Sequence, residues 1–86
     1  MISKVSARFW NEFEKLPREM QELAYKNYQT WLKNPRHPGV RFKPFHRQLY
    51  SARVGDHYRA VGYFSGPDEF TWIWISSHED YNKFGG

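Results

Sequence analysis

Residues 49–76 read LYSARVGDHYRAVGYFSGPDEFTWIWIS, and this stretch decides the fold. LYSARV (49–54), YRAVGYF (58–64) and EFTWIWIS (69–76) are rich in β-branched and aromatic residues, the composition of pleated, half-buried strands. Gly55-Asp56 supplies a tight hairpin turn, and Ser65-Gly66-Pro67-Asp68 a longer one. Connections this short force an antiparallel meander. Simple alternation places Phe70, Trp72 and Trp74 on one face of the third strand and Ile73 and Ile75 on the other. Both faces are apolar, so one carries helices and the other needs a different cover.

Upstream, the period changes. Phe9, Phe13 and Leu16 recur at the spacing of one helix face, with Ser6 as N-cap and Leu16-Pro17 as the stop. Pro17 suits the first turn of a second helix, followed by Glu19 and Glu22 near its positive end. Met20, Leu23, Ala24, Tyr28 and Trp31 form that helix's apolar face, and Asn34-Pro35 closes it. The spacing predicts helices over 6–16 and 17–33, joined so tightly that they form an antiparallel hairpin. Residues 35–48, PRHPGVRFKPFHRQ, hold three prolines and a glycine and read as a loop or an edge element. Ser77 with Asp80 three residues later predicts a short last helix over 77–84. The fold class is α+β: an N-terminal helical hairpin on a small antiparallel sheet, in one domain over residues 1–86.

Composition narrows the function. The 20% aromatic content lets so short a chain bury a large area per ordered residue. No cysteine is present, which excludes disulfides and thiolate metal sites and suits a reducing cytosol. MISKVSARFW lacks the apolar core of a signal peptide, and no apolar run is long enough to span a bilayer, so the expected location is cytoplasmic. Four scattered histidines are a poor zinc signal, and neither metal nor cofactor is expected. The net charge is +4, and its placement matters more than its size. Between Lys33 and Arg59 stand Lys33, Arg36, Arg41, Lys43, Arg47, Arg53 and Arg59 against Asp56 alone, interleaved with Phe42, Phe45, Tyr50 and Tyr58. Basic and aromatic residues mixed in this way suit a polyanion with stackable bases.

The order of FxxxFxxLP (9–17), NPRHPGVRFKPFH (34–46), LYSARVGDHYRAVGY (49–63) and WIWISSHEDY (72–81) resembles a toxin of the RelE/ParE superfamily over nearly the whole chain. RVGDHYRAVGY is the most specific part, similar to the family's R-x-G-D-Y-R-x-x-Y strand pair. SHEDY is similar to its G-S-H-x-x-[YF] ending. The resemblance implies a toxin of a type II toxin-antitoxin system that cleaves mRNA on the ribosome without a metal, and whose partner is a cognate antitoxin in a hetero-oligomer. In such cleavage the ribose 2′-OH attacks phosphorus and the 5′-oxygen leaves. The protein supplies a base, positive charge for the phosphorane and an acid.

Carried over by position, Arg59 in HYRAV clamps the phosphate through its forked guanidinium. Lys43 in RFKPF stabilises the phosphorane or serves as base. His78 and Tyr81 in SHEDY supply acid–base chemistry or base stacking. Arg41, Lys43, His46, Arg47 and Arg53 are the expected RNA-binding residues, Arg53 having a structural role as its alternative. The N-terminal strand usual in the family is reduced to a few residues around Ile2–Val5, and Glu79-Asp80 puts acids where relatives carry Arg and Lys. Two other readings stay open. A ParE-like protein binds DNA gyrase and is no nuclease, and a silent member only binds its antitoxin or operator DNA. An acidic amphipathic antitoxin segment is expected across the strand Phe70–Ile75.

Overall fold

In the computed structural model, which describes residues 2–77, the chain runs β1 (Ile2–Val5), α1 (Ala7–Glu14), α2 (Arg18–Lys33), β2 (Lys43–Pro44), β3 (Leu49–Val54), β4 (Tyr58–Gly66) and β5 (Glu69–Ser77). The strands form one five-stranded sheet in the order β1-β5-β4-β3-β2. β2 to β5 are the expected antiparallel meander, and β1 adds a parallel strand beside β5. The parallel sense follows from connectivity, since both helices intervene before the chain returns to the sheet. Four residues suffice because β1 is tied from several sides. Ile2 N donates to Asp68 O at 2.8 Å and Ser6 N to Trp72 O at 2.9 Å. The Tyr28 hydroxyl reaches Ser3 Oγ at 2.8 Å, and Lys4 Nζ lies 3.2 Å from Glu69 Oε1.

The helices start and stop as their sequence dictates. Ser6 Oγ accepts from Phe9 N at 3.2 Å, satisfying one of the free donors at the start of α1. Pro17 stands at the N-cap position of α2, one residue before its first turn. The C-terminal carbonyls of α1 are met from the next helix: Gln21 Nε2 lies 3.2 Å from both Phe13 O and Leu16 O. One carboxamide therefore ends the first helix and fixes the second against it. Glu19 in the first turn of α2 and Lys33 in its last complement the helix dipole. Among the described residues no helix is long and apolar enough to cross a membrane.

The helix face reads as expected. Leu16, Ala24 and Trp31 are buried, with Phe9, Phe13, Met20, Leu23 and Tyr28 packed against the same core. Trp31 is its hub, within 5.1–6.2 Å, ring centre to ring centre, of Tyr28, Phe42, Phe70 and Trp72. The proline-rich stretch folds into a turn, with His37 N on Asn34 O and Val40 N on His37 O. It delivers Val40 into the core and then forms the two-residue edge strand β2. Arg53 N closes on Val40 O at 2.7 Å.

The third strand departs from simple alternation. Val61 pairs with Trp74 and Gly62 with Trp72, which leaves Ile73 without an opposing residue. This β-bulge resets the faces. Phe70, Trp72 and Ile75 share the helix-covered core, whereas Trp74 falls on the opposite face with Val61. The expected grouping of Trp74 with Phe70 and Trp72, and of Ile75 with the other face, is thus corrected by one inserted residue. The turns differ in detail as well. The β3–β4 turn has three residues, Gly55 to His57, and Gly55 takes a left-handed φ of 64°. The β4–β5 turn is only Pro67-Asp68, because β4 runs on to Gly66 with Ser65 bulged. Ser77, expected to open a last helix, ends β5, and the remainder of that predicted helix lies outside the described residues.

Gly62 is required by packing. A Cβ there would sit 2.5 Å from Phe70 Cε2 and would also strike the Thr71 carbonyl. Gly62→Ala should therefore destabilise by about 1–3 kcal/mol, the usual range for overpacking, as measured by denaturant unfolding. Gly66→Ala, whose Cβ would meet only Glu69 Cβ at 3.5 Å, should be tolerated far better. Equal stability of the two variants would show that the ring does not need this opening.

Glu69 makes the β1 edge sensitive to acid. Its carboxyl is held below the ordinary carboxylate value, first by the Ser65 hydroxyl at 2.7 Å and then by Lys4. A depressed folded-state pKa stabilises the fold above the unfolded value, and that contribution disappears as pH falls through the folded one. Acidification below about 4 should thus loosen β1 first, seen in the amide resonances of Ile2–Val5. Glu69→Gln should abolish that pH dependence, and an unchanged acid response in this variant would exclude Glu69 as its source.

Candidate functional site

The strand register assigns every second residue to the face away from the helices. Three rows cross it. Arg53, Arg59 and Ser76 form the first, Lys43, Ser51, Val61 and Trp74 the second, and Leu49, Tyr63, Thr71 and Lys4 the third. Lys43 and Tyr63 are exposed, Arg53 and Arg59 half-buried, Ser51 and Val61 buried.

The first row sets two arginines directly opposite one another, an arrangement that repels unless something intervenes. The hairpin resolves it. Arg53 turns toward the β3–β4 turn, where its Nε donates to Gly55 O at 2.9 Å and its Nη2 pairs with Asp56. The Asn27 carboxamide holds the Arg53 carbonyl at 3.1 Å, which ties this strand to α2. Arg59 donates from Nη1 to its neighbour's carbonyl, Tyr58 O, at 3.0 Å. Among the described residues it has no carboxylate partner. Asp56 thus neutralises Arg53, and among the described residues no carboxylate does the same for Arg59.

Lys43 stands two strands and one same-face row from Arg59, a Cα separation on the order of 12 Å at ideal sheet spacing. Ser51 and Val61, both buried, separate the two cations. His46 and Arg47 lie elsewhere, exposed in the β2–β3 turn at the other end of β3. Arg41 precedes β2 and is also exposed. Arg41 and Arg47 both hold left-handed backbone, with φ of 50° and 54°, a region that disfavours residues bearing a Cβ. The fold therefore sets Arg59, Arg53 and Lys43 on one sheet face and leaves Arg41, His46 and Arg47 exposed outside it. His78 and Tyr81 lie outside the described residues.

Tyr63, which the sequence reading passed over, adds an exposed ring to this face between Leu49 and Thr71. Its place in the alternation from Arg59 through Val61 is the signal that would have found it. Among the described residues no group of three His, Cys, Asp or Glu is arranged to hold a metal ion. Chemically, the face offers guanidinium and ammonium charge for a phosphodiester and a ring for stacking.

Comparison with known proteins agrees with this architecture. The ParE-like toxin domain model matches residues 19–83. Among solved structures, the YoeB/ParE toxin from Agrobacterium tumefaciens superposes with a TM-score of 0.71 at 18% identity, over 91% of this chain and 99% of that one. The toxin-antitoxin complex RelBE2 from Mycobacterium tuberculosis gives 0.71 at 17% identity, over 90% and 96%. The archaeal RelE-RelB complex from Pyrococcus horikoshii gives 0.71 at 16% identity, over 88% and 92%. No curated protein sequence matches. Identities this low speak to the fold alone, but the family model spans most of the chain: it is a RelE/ParE-superfamily toxin and belongs to the ParE-like toxin family.

Proposed function

We propose that this toxin is a metal-independent, ribosome-dependent mRNA endonuclease, kept inactive by a cognate antitoxin. The observation that carries the reading is Arg59, half-buried and free of any described carboxylate on the sheet face away from the helices, beside an Arg53 already neutralised by Asp56. An arginine with no described carboxylate partner suits a phosphoryl-transfer site, where it can stabilise the charge that develops on the phosphorane. In the proposed reaction a base takes the 2′-OH proton as that oxygen attacks phosphorus. The bond to the 5′-oxygen then breaks, and an acid protonates the leaving oxygen. The products are a 2′,3′-cyclic phosphate and a 5′-hydroxyl. Arg59 clamps the phosphate and Lys43 adds charge to the phosphorane or acts as base. His78 and Tyr81 are assigned acid–base work. Arg41, His46 and Arg47 follow the RNA backbone.

The antitoxin is the expected partner because solved complexes of this fold pair RelE with RelB, and because a basic face that also carries Leu49 and Tyr63 favours an acidic, amphipathic cover. A second reading, a gyrase inhibitor without nuclease activity, draws on the match to a ParE-like model.

Single-turnover cleavage of ribosome-bound message separates the two. Arg59→Ala should lose on the order of 3 kcal/mol of transition-state stabilisation, about a hundredfold in rate. Arg59→Lys should recover only part of it, because an ammonium cannot make the forked contact. His78→Ala and Tyr81→Phe should slow cutting while leaving antitoxin affinity intact. Wild-type cutting by Arg59→Ala and His78→Ala would dismiss the site, and growth arrest without any transcript cleavage would point to gyrase.

The strained arginines give an independent test. Arg41→Gly and Arg47→Gly should each stabilise the fold by about 1 kcal/mol through relief of the left-handed backbone. Each should also weaken RNA binding and lower the slope of log affinity against log salt by roughly 0.7, the value for one phosphate contact on a single strand. More stable variants with unchanged RNA affinity would remove these two residues from the interface.

A further inference from the structure

The register of β3 with β4 is unbroken from Arg53 opposite Arg59 to Leu49 opposite Tyr63. Arg59, Val61 and Tyr63 therefore share the face away from the helices, and the Tyr63 Cα lies roughly 13 Å from that of Arg59. The row between them is buried, with Val61, Ser51 and Trp74 only 0%, 1% and 7% exposed. Tyr63 is 38% exposed, and among the described residues its side chain makes no hydrogen bond, ion pair or ring contact. A single exposed ring means little by itself. Its neighbours give it a use.

Leu49, directly opposite Tyr63, follows the β2–β3 turn, whose His46 and Arg47 are exposed. Leu49 N donates to His46 O and Phe45 N to Leu49 O, each at 2.9 Å, which fixes that turn at the Tyr63 end of the sheet. Arg47 holds a φ of 54°, so the turn presents a cation where glycine would be relaxed. Lys43, on the edge strand β2, is exposed on the same face as the ring. On the other side of Tyr63 the charges balance. Lys4, in the same row, lies 3.2 Å from Glu69, and Ser65 Oγ lies 2.7 Å from both Glu69 Oε2 and Thr71 Oγ1. The polar side chains there are bonded to one another, and the ring is left over.

We propose that Tyr63 is a platform on which a base of the single-stranded message stacks, outside the dinucleotide being cut, while Lys43 and Arg47 take the adjoining phosphates. Such stacking accepts any base, because every base has a π face, and basic residues beside an aromatic one suit a single strand. At its separation from Arg59, and with a buried row between, the ring serves a flanking nucleotide and not the one whose phosphate Arg59 clamps. Tyr63 is thus a positioning residue that touches no reacting atom. The inference rests on the reading of the chain as a toxin that binds message, and not on which groups act as acid and base.

The test uses the full chain and ribosomes programmed with a message bearing one abasic nucleotide, moved stepwise away from the cut. With the wild type, one flanking position should raise the half-saturating toxin concentration about tenfold, the scale of one lost base–ring stack, with the loss falling there and not on the rate at saturation. Tyr63→Leu keeps apolar bulk without the ring. It should show the same loss on intact message and no further loss at that abasic position, and Tyr63→Phe should match the wild type. Stacking releases no counterions, so Tyr63→Leu should keep the wild-type slope of log affinity against log salt, whereas Arg47→Gly should lower it. Intact message bound as tightly by Tyr63→Leu as by the wild type overturns the proposal, as does an abasic penalty undiminished in that variant. So does a Tyr63→Leu chain that loses the antitoxin encoded by the adjacent reading frame while keeping its hold on message, since the ring would then belong to the protein partner. If the wild type cuts nothing, its binding to the same programmed ribosomes is read by fluorescence anisotropy of labelled toxin. Binding that depends on Tyr63 and on the abasic position upholds the platform and sinks only the nuclease reading, whereas no message-dependent binding sinks both.

Discussion

One unpaired residue, Ile73, governs how this sheet divides its two faces. Because Trp74 opposes Val61 while Trp72 opposes Gly62, the strand shifts by one position and every later side chain changes face. Without that shift Ile75 would leave the core and Trp74 would be driven under the helices beside Trp31 and Trp72. The bulge lets a strand that is apolar on both sides send Phe70, Trp72 and Ile75 inward. It also needs a neighbour that yields, and Gly62 meets this need, since the Phe70 ring occupies the place a side chain would take. Position 62 is thereby tied to the bulge on the adjoining strand.

The same register creates the electrostatic problem that gives the face away from the helices its character. Directly opposed arginines cost stability, and the hairpin turn answers with a single acid, Asp56, that reaches only Arg53. Neutralising both would yield a quiet surface. Neutralising one leaves a positive group held in place by the strand and by its bond to Tyr58 O, oriented before any ligand arrives. Left-handed Arg41 and Arg47 follow the same logic, because backbone conformations that suit glycine are here occupied by cations. Under the proposed function, stability is given up at positions where a phosphate would gain a contact.

A chain of 86 residues has little surface to bury, and this one spends much of it on rings. Trp31, Phe42, Phe70 and Trp72 form a tight cluster toward one end of the helix layer, while alanines thin the layer between α1 and α2. The protein is therefore well packed at one place and open at another.

How much of this was legible depends on how local each cause is. The helices followed from Phe9, Phe13 and Leu16 and from Met20 through Trp31, because a period of 3.6 residues marks one face whatever lies opposite. The meander followed from short turns between β-branched and aromatic runs, and the motifs around Arg53–Tyr63 carried the family. Gln21, which holds one carbonyl of α1 and one of the turn after it, left no such trace, since its partners are chosen by how the helices meet. The resemblance placed a short strand around Ile2–Val5, but its parallel pairing with β5 exists only once the chain has crossed the sheet. For the candidate site, the sequence named Arg59, Arg53 and Lys43, since basic residues in a recognisable order are written in the chain. Which arginine keeps its charge, where Trp74 faces and that Tyr63 joins them were decided by register. Register is a relation between strands, and one inserted residue was enough to change it.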